Sequence, residues 1–250
     1  RCVGNAEARF GEDALRIMRA VRFAAQLGFE IEGKTQTAIR KLAFSLRNIS
    51  AERIQVELIK LLTSLHPEQI RLAYELGITA VMLPEFDRMM ETAQETPHHC
   101  YNVGDHTVAA LQHCPSDKIL RLTMLFHDMG KPEKKTIDEN GIAHFKGHAL
   151  VSEAIAKEIM HRLKFDNDTL RKVTKLVYYH DLRMPATPRN VRRAMNRIGT
   201  ELFPYYLNVR RADTLAQSMF RRTEKLENIQ EIEKIYLQIL EMQQCVSLKD

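Results

Sequence analysis

The 250-residue chain has no tryptophan, and no stretch of it runs for about 18 residues without a charge or a strongly polar group. A membrane-crossing helix is therefore not expected. Cysteine is scarce: Cys2, Cys100, Cys114 and Cys245 stand far apart with no CxxC spacing. That pattern excludes a zinc knuckle and a disulfide framework, and a reducing, cytoplasmic setting fits it best. Neither charge sign dominates, since 37 Lys and Arg against 32 Asp and Glu leave +5 and a pI near 9.0. So mild a bias points to a polyanionic partner only where the cations cluster. Internal repeats and low-complexity tracts are missing. The chain opens at Arg1 with neither an initiator Met nor a charged-then-apolar leader, and reads as an internal piece of something longer.

What is present is apolar spacing of three and four along almost the whole length, which predicts an all-α fold. Punctuation falls at Gly28, His66-Pro67, Gly77 and Leu83-Pro84, then across TAQETPHHCYNVGD at 92–105, the expected joint between two helical bundles. The expected organisation is a first bundle over 1–95, a second over 96–222, and an amphipathic C-terminal helix over 223–250. IDENGIAHF predicts a small hairpin near 136–146.

The second bundle holds LFHDMGK at 125–131, where His127 and Asp128 interrupt an apolar run. A lone core His is usually satisfied by a backbone carbonyl, but a buried Asp needs a pair, hydrogen bonds or a metal. Helical spacing supplies companions. His106 falls in the first turn of a helix that Asp105 would cap, and His148 lies three before the stripe Val151, Ile155, Ile159 and Leu163. His180 follows Val177 by three, and Asp213 stands on the face marked by Val209, Ala216 and Phe220. Five segments thus offer imidazoles and carboxylates to one interior, a donor set suited to magnesium or a first-row divalent ion. Gly130 is expected to turn the chain away and Pro132 to stop the helix.

The ordered set His106, His127-Asp128, His148, His180, Asp213 resembles the HD superfamily of metal-dependent phosphohydrolases. The resemblance implies that His106, His127, Asp128 and Asp213 bind one divalent metal (Mg, Mn, Ni, Co or Fe), with His148 and His180 able to hold a second. It implies metal-assisted phosphoester hydrolysis, with His127, Asp128 and Lys131 as the catalytic group. Lys131 would meet a phosphate or, equally, be a solvated cation at a helix end. His144 is a substrate contact or a surface loop residue, and His66, His98, His99, His113 and His161 are assigned no role.

In the first bundle, RFGEDALRIMRAVRFAAQLGF at 9–29 carries Asp13, Arg16, Arg19 and Arg22 at intervals of three, opposite an apolar face of Leu15, Met18, Phe23 and Leu27. On its own this is a solvated basic ridge with an Asp13 to Arg16 ion pair. EDALR, together with Arg53 and Glu57 in SAERIQVEL, is however very similar to the neck of bacterial class II tRNA nucleotidyltransferases, the CCA-adding enzymes and poly(A) polymerases. By that resemblance Asp13 and Arg16 template the incoming base, Arg19 and Arg22 lie towards the triphosphate, and tRNA, ATP and CTP are partners of a longer parent enzyme. That parent's catalytic head, with its own Mg, matches nothing in these 250 residues, so the chain alone is expected not to add nucleotides. Two other readings are a helical RNA-binding scaffold with a vestigial HD site and a free-standing HD nucleotide hydrolase.

Overall fold

The computed structural model describes the backbone of residues 4–247 and side chains up to residue 242. Among these residues the fold is all-α, with fifteen α-helices and one two-stranded ribbon. The first bundle comprises α1 (Ala6–Glu12), α2 (Leu15–Leu27), α3 (Gly33–Leu42), α4 (Ala51–Leu62), α5 (Ile70–Glu75), α6 (Thr79–Met82) and α7 (Pro84–Met90). Two 3-10 turns, Ala43–Asn48 and Pro67–Gln69, join them. The second comprises α8 (Val103–His113), α9 (Lys118–Phe126), α10 (Lys131–Lys134), β1 (Thr136–Ile137), β2 (Ala143–His144), α11 (His148–Arg162), α12 (Asn167–Tyr179), α13 (Pro188–Ile198), α14 (Phe203–Ala216) and α15 (Arg222–Ser247). The expected hairpin is this antiparallel ribbon, Thr136 opposite His144 and Ile137 opposite Ala143.

One apolar core runs from Phe10 and Leu15 through Leu58, Phe86 and Val103 to Leu125, Ile159 and Val209, crossing the 92–105 segment without a break. That segment is pinned down: Val103 N–H donates to Thr92 O, Ala143 N–H donates to Glu95 O, and Gln94 is buried. A smaller core joins α13 and α14 to Ile229, Ile232, Ile235, Tyr236 and Ile239 of α15, so the C-terminal helix covers the end of the second bundle. Cys100 and Cys114 are free thiols, while Cys2 and the side chain of Cys245 lie outside the described residues.

Several local expectations change. The helix expected over 9–29 is broken at Asp13, which is extended at φ −149°, ψ 104°, because its carboxylate accepts from Leu15 N–H and starts α2. Phe23 and Leu27 are exposed; the buried face of α2 is Leu15, Ile17, Met18, Val21, Ala24 and Ala25. Asn102, not Asp105, caps α8, its side chain accepting from Asp105 N–H at 2.6 Å. Phe220 lies beyond the end of α14 and is half exposed.

Gly130 is right-handed helical at φ −83° and Pro132 sits in the first turn of α10, so this stretch neither reverses nor stops the helical path. The glycine is required for a different reason. A Cβ there would stand 2.4 Å from His148 O and 2.6 Å from Ser152 N, so a side chain would push α11 off the His127-Asp128 turn. Gly130→Ala should destabilise by about 1–3 kcal/mol despite alanine's better helix propensity. An unchanged urea midpoint would show that α11 gives way freely.

Asp166 caps α12, accepting from Thr169 N–H at 2.8 Å and from the Thr169 hydroxyl at 2.7 Å. Those two bonds, with Lys118 behind them, hold its carboxyl down at about 2. Because the folded value lies below the unfolded one, this contribution is complete above the ordinary value of 3.8 and is lost as pH falls through about 2. Asp166→Ala should cost about 1 kcal/mol at neutral pH, by loss of the cap. Denaturation midpoints of variant and wild type should converge as pH falls through that window; a gap independent of pH would assign the loss to packing.

Candidate metal centre

The ends of five helices converge on a single point. α9 delivers His127 and Asp128 just past its last residue, α8 delivers His106 from its first turns, α11 delivers His148 as its first residue, α12 delivers His180 as its cap, and α14 delivers Asp213. All six side chains are buried. Asp128 lies at the centre: Oδ2 is 3.1 Å from His127 Nε2 and 3.7 Å from His106 Nε2, and Oδ1 is 3.3 Å from His148 Nε2 and 3.6 Å from His180 Nε2. The six thus sort into two overlapping ligand sets that share Asp128. One contains His106 and His127, with Asp213 Oδ1 3.0 Å from His106 Nε2, and the other contains His148 and His180.

The backbone decides the tautomers. Nδ1 of His127, His148 and His180 donates to the carbonyls of Met124, Phe145 and Val177 at 2.7, 2.8 and 2.6 Å. In the neutral rings Nε2 is then a bare lone pair. Yet His148 Nε2 and His180 Nε2 are 3.0 Å apart, lone pair against lone pair, and His127 Nε2 faces a carboxylate without making a hydrogen bond. The repulsion disappears if a cation lies between them. The six residues therefore fit a divalent ion, and an imidazole-rich set favours a first-row metal over magnesium.

Burial works to raise the Asp128 carboxyl, but His127 and the Lys131 ammonium outweigh it and hold it well below the usual range. Asp213 shows the same balance: burial raises its carboxyl, but the His106 hydrogen bond together with the charges of His106, His127 and Arg210 holds it well below the usual range. Lys131 is itself buried, its Nζ 2.7 Å from Asp128 Oδ2 and 2.8 Å from Gln94 Oε1. Gln217, one turn beyond Asp213, donates to both carboxylate oxygens at 3.2 and 3.1 Å. Its i, i+4 spacing was a readable signal; Gln94, in the inter-bundle segment, gave none.

The site opens into a pocket of about 420 Å³ lined by Asp128, Lys131, His144, His148, His180 and Arg183. His98 and His99 also line it. His99 packs edge-on against His106 at 4.8 Å, and burial pushes its imidazole down to about 2. His144 is exposed and bonded to Asp138, and His66 pairs with Glu68, while His113 and His161 are exposed away from this site.

Residues 97–239, more than half of the chain, match the family profile described as HD domain. The chain belongs to the HD-domain family. Residues 28–90, ahead of the HD domain, match a second profile described as a probable RNA and SrmB-binding site of polymerase A. Among curated relatives, a CC-adding tRNA nucleotidyltransferase of Thermus thermophilus is 34% identical over 82% of this chain and 50% of its own length. An A-adding tRNA nucleotidyltransferase of Deinococcus radiodurans is 33% identical over 80% of this chain and 49% of its own. The chain spans about half the length of these relatives. The fold is also that of the crystal structure of Bacillus stearothermophilus CCA-adding enzyme in complex with CTP, with TM-score 0.52, 21% identity, and coverage of 93% of this chain and 49% of that one.

The first-bundle row does not gather as the HD residues do. Asp13 pairs with Arg53 at 3.0 Å, not with Arg16, whose guanidinium is held by Glu12 at 2.6 Å and Arg9 O at 2.9 Å. Arg22 and Arg19 meet the buried Glu57 at 2.5 and 3.4 Å. Arg53 and Glu57 of α4 therefore orient Asp13, Arg19 and Arg22 across the α2–α4 interface. Burial raises the Asp13 carboxyl, but Leu15 N–H and Arg53 outweigh it, so its value lies below the ordinary one. Arg16 and Arg19 line a groove of about 460 Å³ with Phe23 and Phe29, whereas Asp13 and Arg22 turn towards α4.

Proposed function

We propose that the HD site is a metal-dependent phosphohydrolase within a tRNA nucleotidyltransferase of the CCA-adding type. Residues 1–95 would supply base templating and RNA contact, 96–222 the hydrolase, and 223–250 a brace. The observation that carries the hydrolase reading is the 3.0 Å apposition of the His148 and His180 Nε2 atoms, each with its Nδ1 committed to a carbonyl. His106, His127, Asp128 and Asp213 would hold one divalent ion, with His148, His180 and the other oxygen of Asp128 forming the second set. Such an ion acidifies water and offsets phosphoryl charge. The chain's own residues do the rest: backbone carbonyls hold three imidazoles with Nε2 inward, Gln217 holds Asp213, and Lys131 on the pocket wall is positioned to take a phosphate oxygen. Imidazoles, carboxylates and the Lys131 ammonium gathered at one pocket suit a phosphomonoester or phosphodiester, a 2′,3′-cyclic phosphate included.

The names of the relatives, a CC-adding and an A-adding tRNA nucleotidyltransferase, support tRNA, CTP and ATP as partners of the full enzyme, and a cytoplasmic location accords with that work. Among the described residues no helix is long and apolar enough to cross a membrane. One observation favours a second reading, an RNA-binding scaffold with a vestigial site: Lys131 Nζ sits on Asp128 at 2.7 Å, where an ammonium could replace a metal as counter-ion.

The test is hydrolysis of bis-(p-nitrophenyl) phosphate and a 2′,3′-cyclic nucleotide by chelator-stripped protein reloaded with nickel, manganese or cobalt. Turnover should require the metal and fall by at least about a thousandfold in Asp128→Asn, a loss of roughly 4 kcal/mol of transition-state stabilisation. Equal turnover by wild type and variant would assign the activity to a contaminant, and no turnover with any metal would favour the scaffold.

A further inference from the structure

The unassigned feature that the site does not use is α13. Its eleven residues carry Arg189, Arg192, Arg193 and Arg197 and no acid. All four arginines are exposed, while Val191, Ala194, Met195 and Ile198 are buried. Arg189, Arg193 and Arg197 repeat at intervals of four, so they form one ridge with a step of about 6 Å along the axis, and Arg192 lies beside it. Lys175 extends the charge at the far end, its Nζ 3.9 Å from where a Cβ at Gly199 would stand.

A solvated basic face normally borrows nearby acids. Here α15 packs against α13 and carries acids, yet Glu224 pairs with Arg221, Glu233 with Arg211 and Glu231 with Lys234, and Glu227 and Glu241 make no ion pair with α13. Among the described residues, none of the four α13 arginines is paired with a carboxylate. Four unneutralised guanidinium groups on one helix repel each other, a cost that a polyanion laid along the ridge would relieve.

We infer that the exposed face of α13 docks the phosphate backbone of an RNA. The choice of RNA over other polyanions rests on the RNA-processing reading above, and three features fit it. Arginine forks match phosphate oxygens two at a time. The intervening exposed residue is Asn196, a donor and acceptor, and no large apolar side chain is exposed on this helix, so it has nothing to insert into a lipid surface. The chain leading into α13 also carries Arg183, which lines the pocket of the metal centre and pairs with Asp181 at 3.0 Å, so a further guanidinium precedes the ridge in sequence.

The experiment is fluorescence anisotropy of a labelled tRNA transcript with the full 250-residue chain in EDTA, across a salt series. Working without metal separates RNA docking from hydrolysis. Arg192→Gln/Arg193→Gln should bind roughly tenfold more weakly at low salt, with the log–log salt slope reduced by about 1.5, as expected for two lost phosphate contacts. Arg189→Gln/Arg197→Gln, at the ends of the ridge, should reproduce the change. Circular dichroism and metal-dependent hydrolysis of bis-(p-nitrophenyl) phosphate should stay as in wild type, because none of these side chains reaches the site. Wild-type tRNA binding left untouched by both double variants would overturn this inference alone. A wild type that binds no tRNA would overturn it together with the RNA partner. Competition by polyglutamate as strong as by tRNA, or equal capture by phosphatidylserine vesicles, would show a general anion surface and overturn the RNA assignment.

Discussion

Saturating the stripped protein with nickel or manganese should raise its melting temperature by roughly 10 °C, and His148→Gln, which removes a ligand of the second set only, should reduce that rise without lowering the metal-free melting temperature. A ligand at a thousandfold excess over its Kd stabilises by about 4 kcal/mol, and a domain of this size moves about 2–4 °C per kcal/mol. The variant separates cation demand from ordinary packing. In the metal-free protein the His148 and His180 lone pairs oppose each other at 3.0 Å, so an amide that can donate to His180 removes a repulsion while forfeiting the His148 bond to Phe145 O. A merely structural histidine would behave in the opposite way, its loss lowering the metal-free midpoint. A wild type indifferent to every first-row metal, or a His148→Gln protein with the full rise, would remove the two-set description of the centre.

His148, His180 and Asp213 were legible because each falls on a helical stripe of apolar residues, and His127 and Asp128 because they interrupt an apolar run. His148 precedes Val151 by three and His180 follows Val177 by three, so burial of the stripe carries them inward. What periodicity does not encode is which atom a side chain presents. Only the local turns, with carbonyls of Met124, Phe145 and Val177 three residues back, show that Nε2 faces in. Gly130 was misread for a related reason. A glycine before a lysine-proline looks like a terminator, yet its function is the approach of His148 and Ser152, a contact from another helix that no local pattern announces. The break at Asp13 is a competition lost in the other direction: the helical pattern continues through 9–29, but a carboxylate able to accept from Leu15 N–H prefers to restart the helix. Gln94 and Lys131 meet because the segment expected to be a joint is folded onto the site.

In a chain extended by a nucleotidyltransferase module ahead of Arg1, Asp13→Ala should cut the preference for CTP over UTP by a factor of about 5 to 150. Removing a base-reading contact is worth about 1–3 kcal/mol, and an Asp can accept from the exocyclic amine that cytosine and adenine carry and uracil lacks. The same loss should follow, more weakly, from Arg53→Ala, because Arg53 holds the Asp13 carboxylate at 3.0 Å and the half-exposed pair is free to swing once it is cut. Arg22→Ala should behave differently. Its guanidinium is largely buried on Glu57, so the variant leaves that acid without its 2.5 Å partner and with only Arg19 at 3.4 Å. Breaking a buried pair from one side costs about 3–5 kcal/mol, so stability and the use of every nucleotide should fall together. The double variant Arg22→Met/Glu57→Met removes both charges and should recover most of the stability but not the nucleotide affinity. Steady-state kinetics with CTP, ATP and UTP, beside urea denaturation of each variant, distinguish the two sites. An Asp13→Ala enzyme that loses stability while keeping its CTP preference would reduce Asp13 and Arg53 to a clasp between α2 and α4.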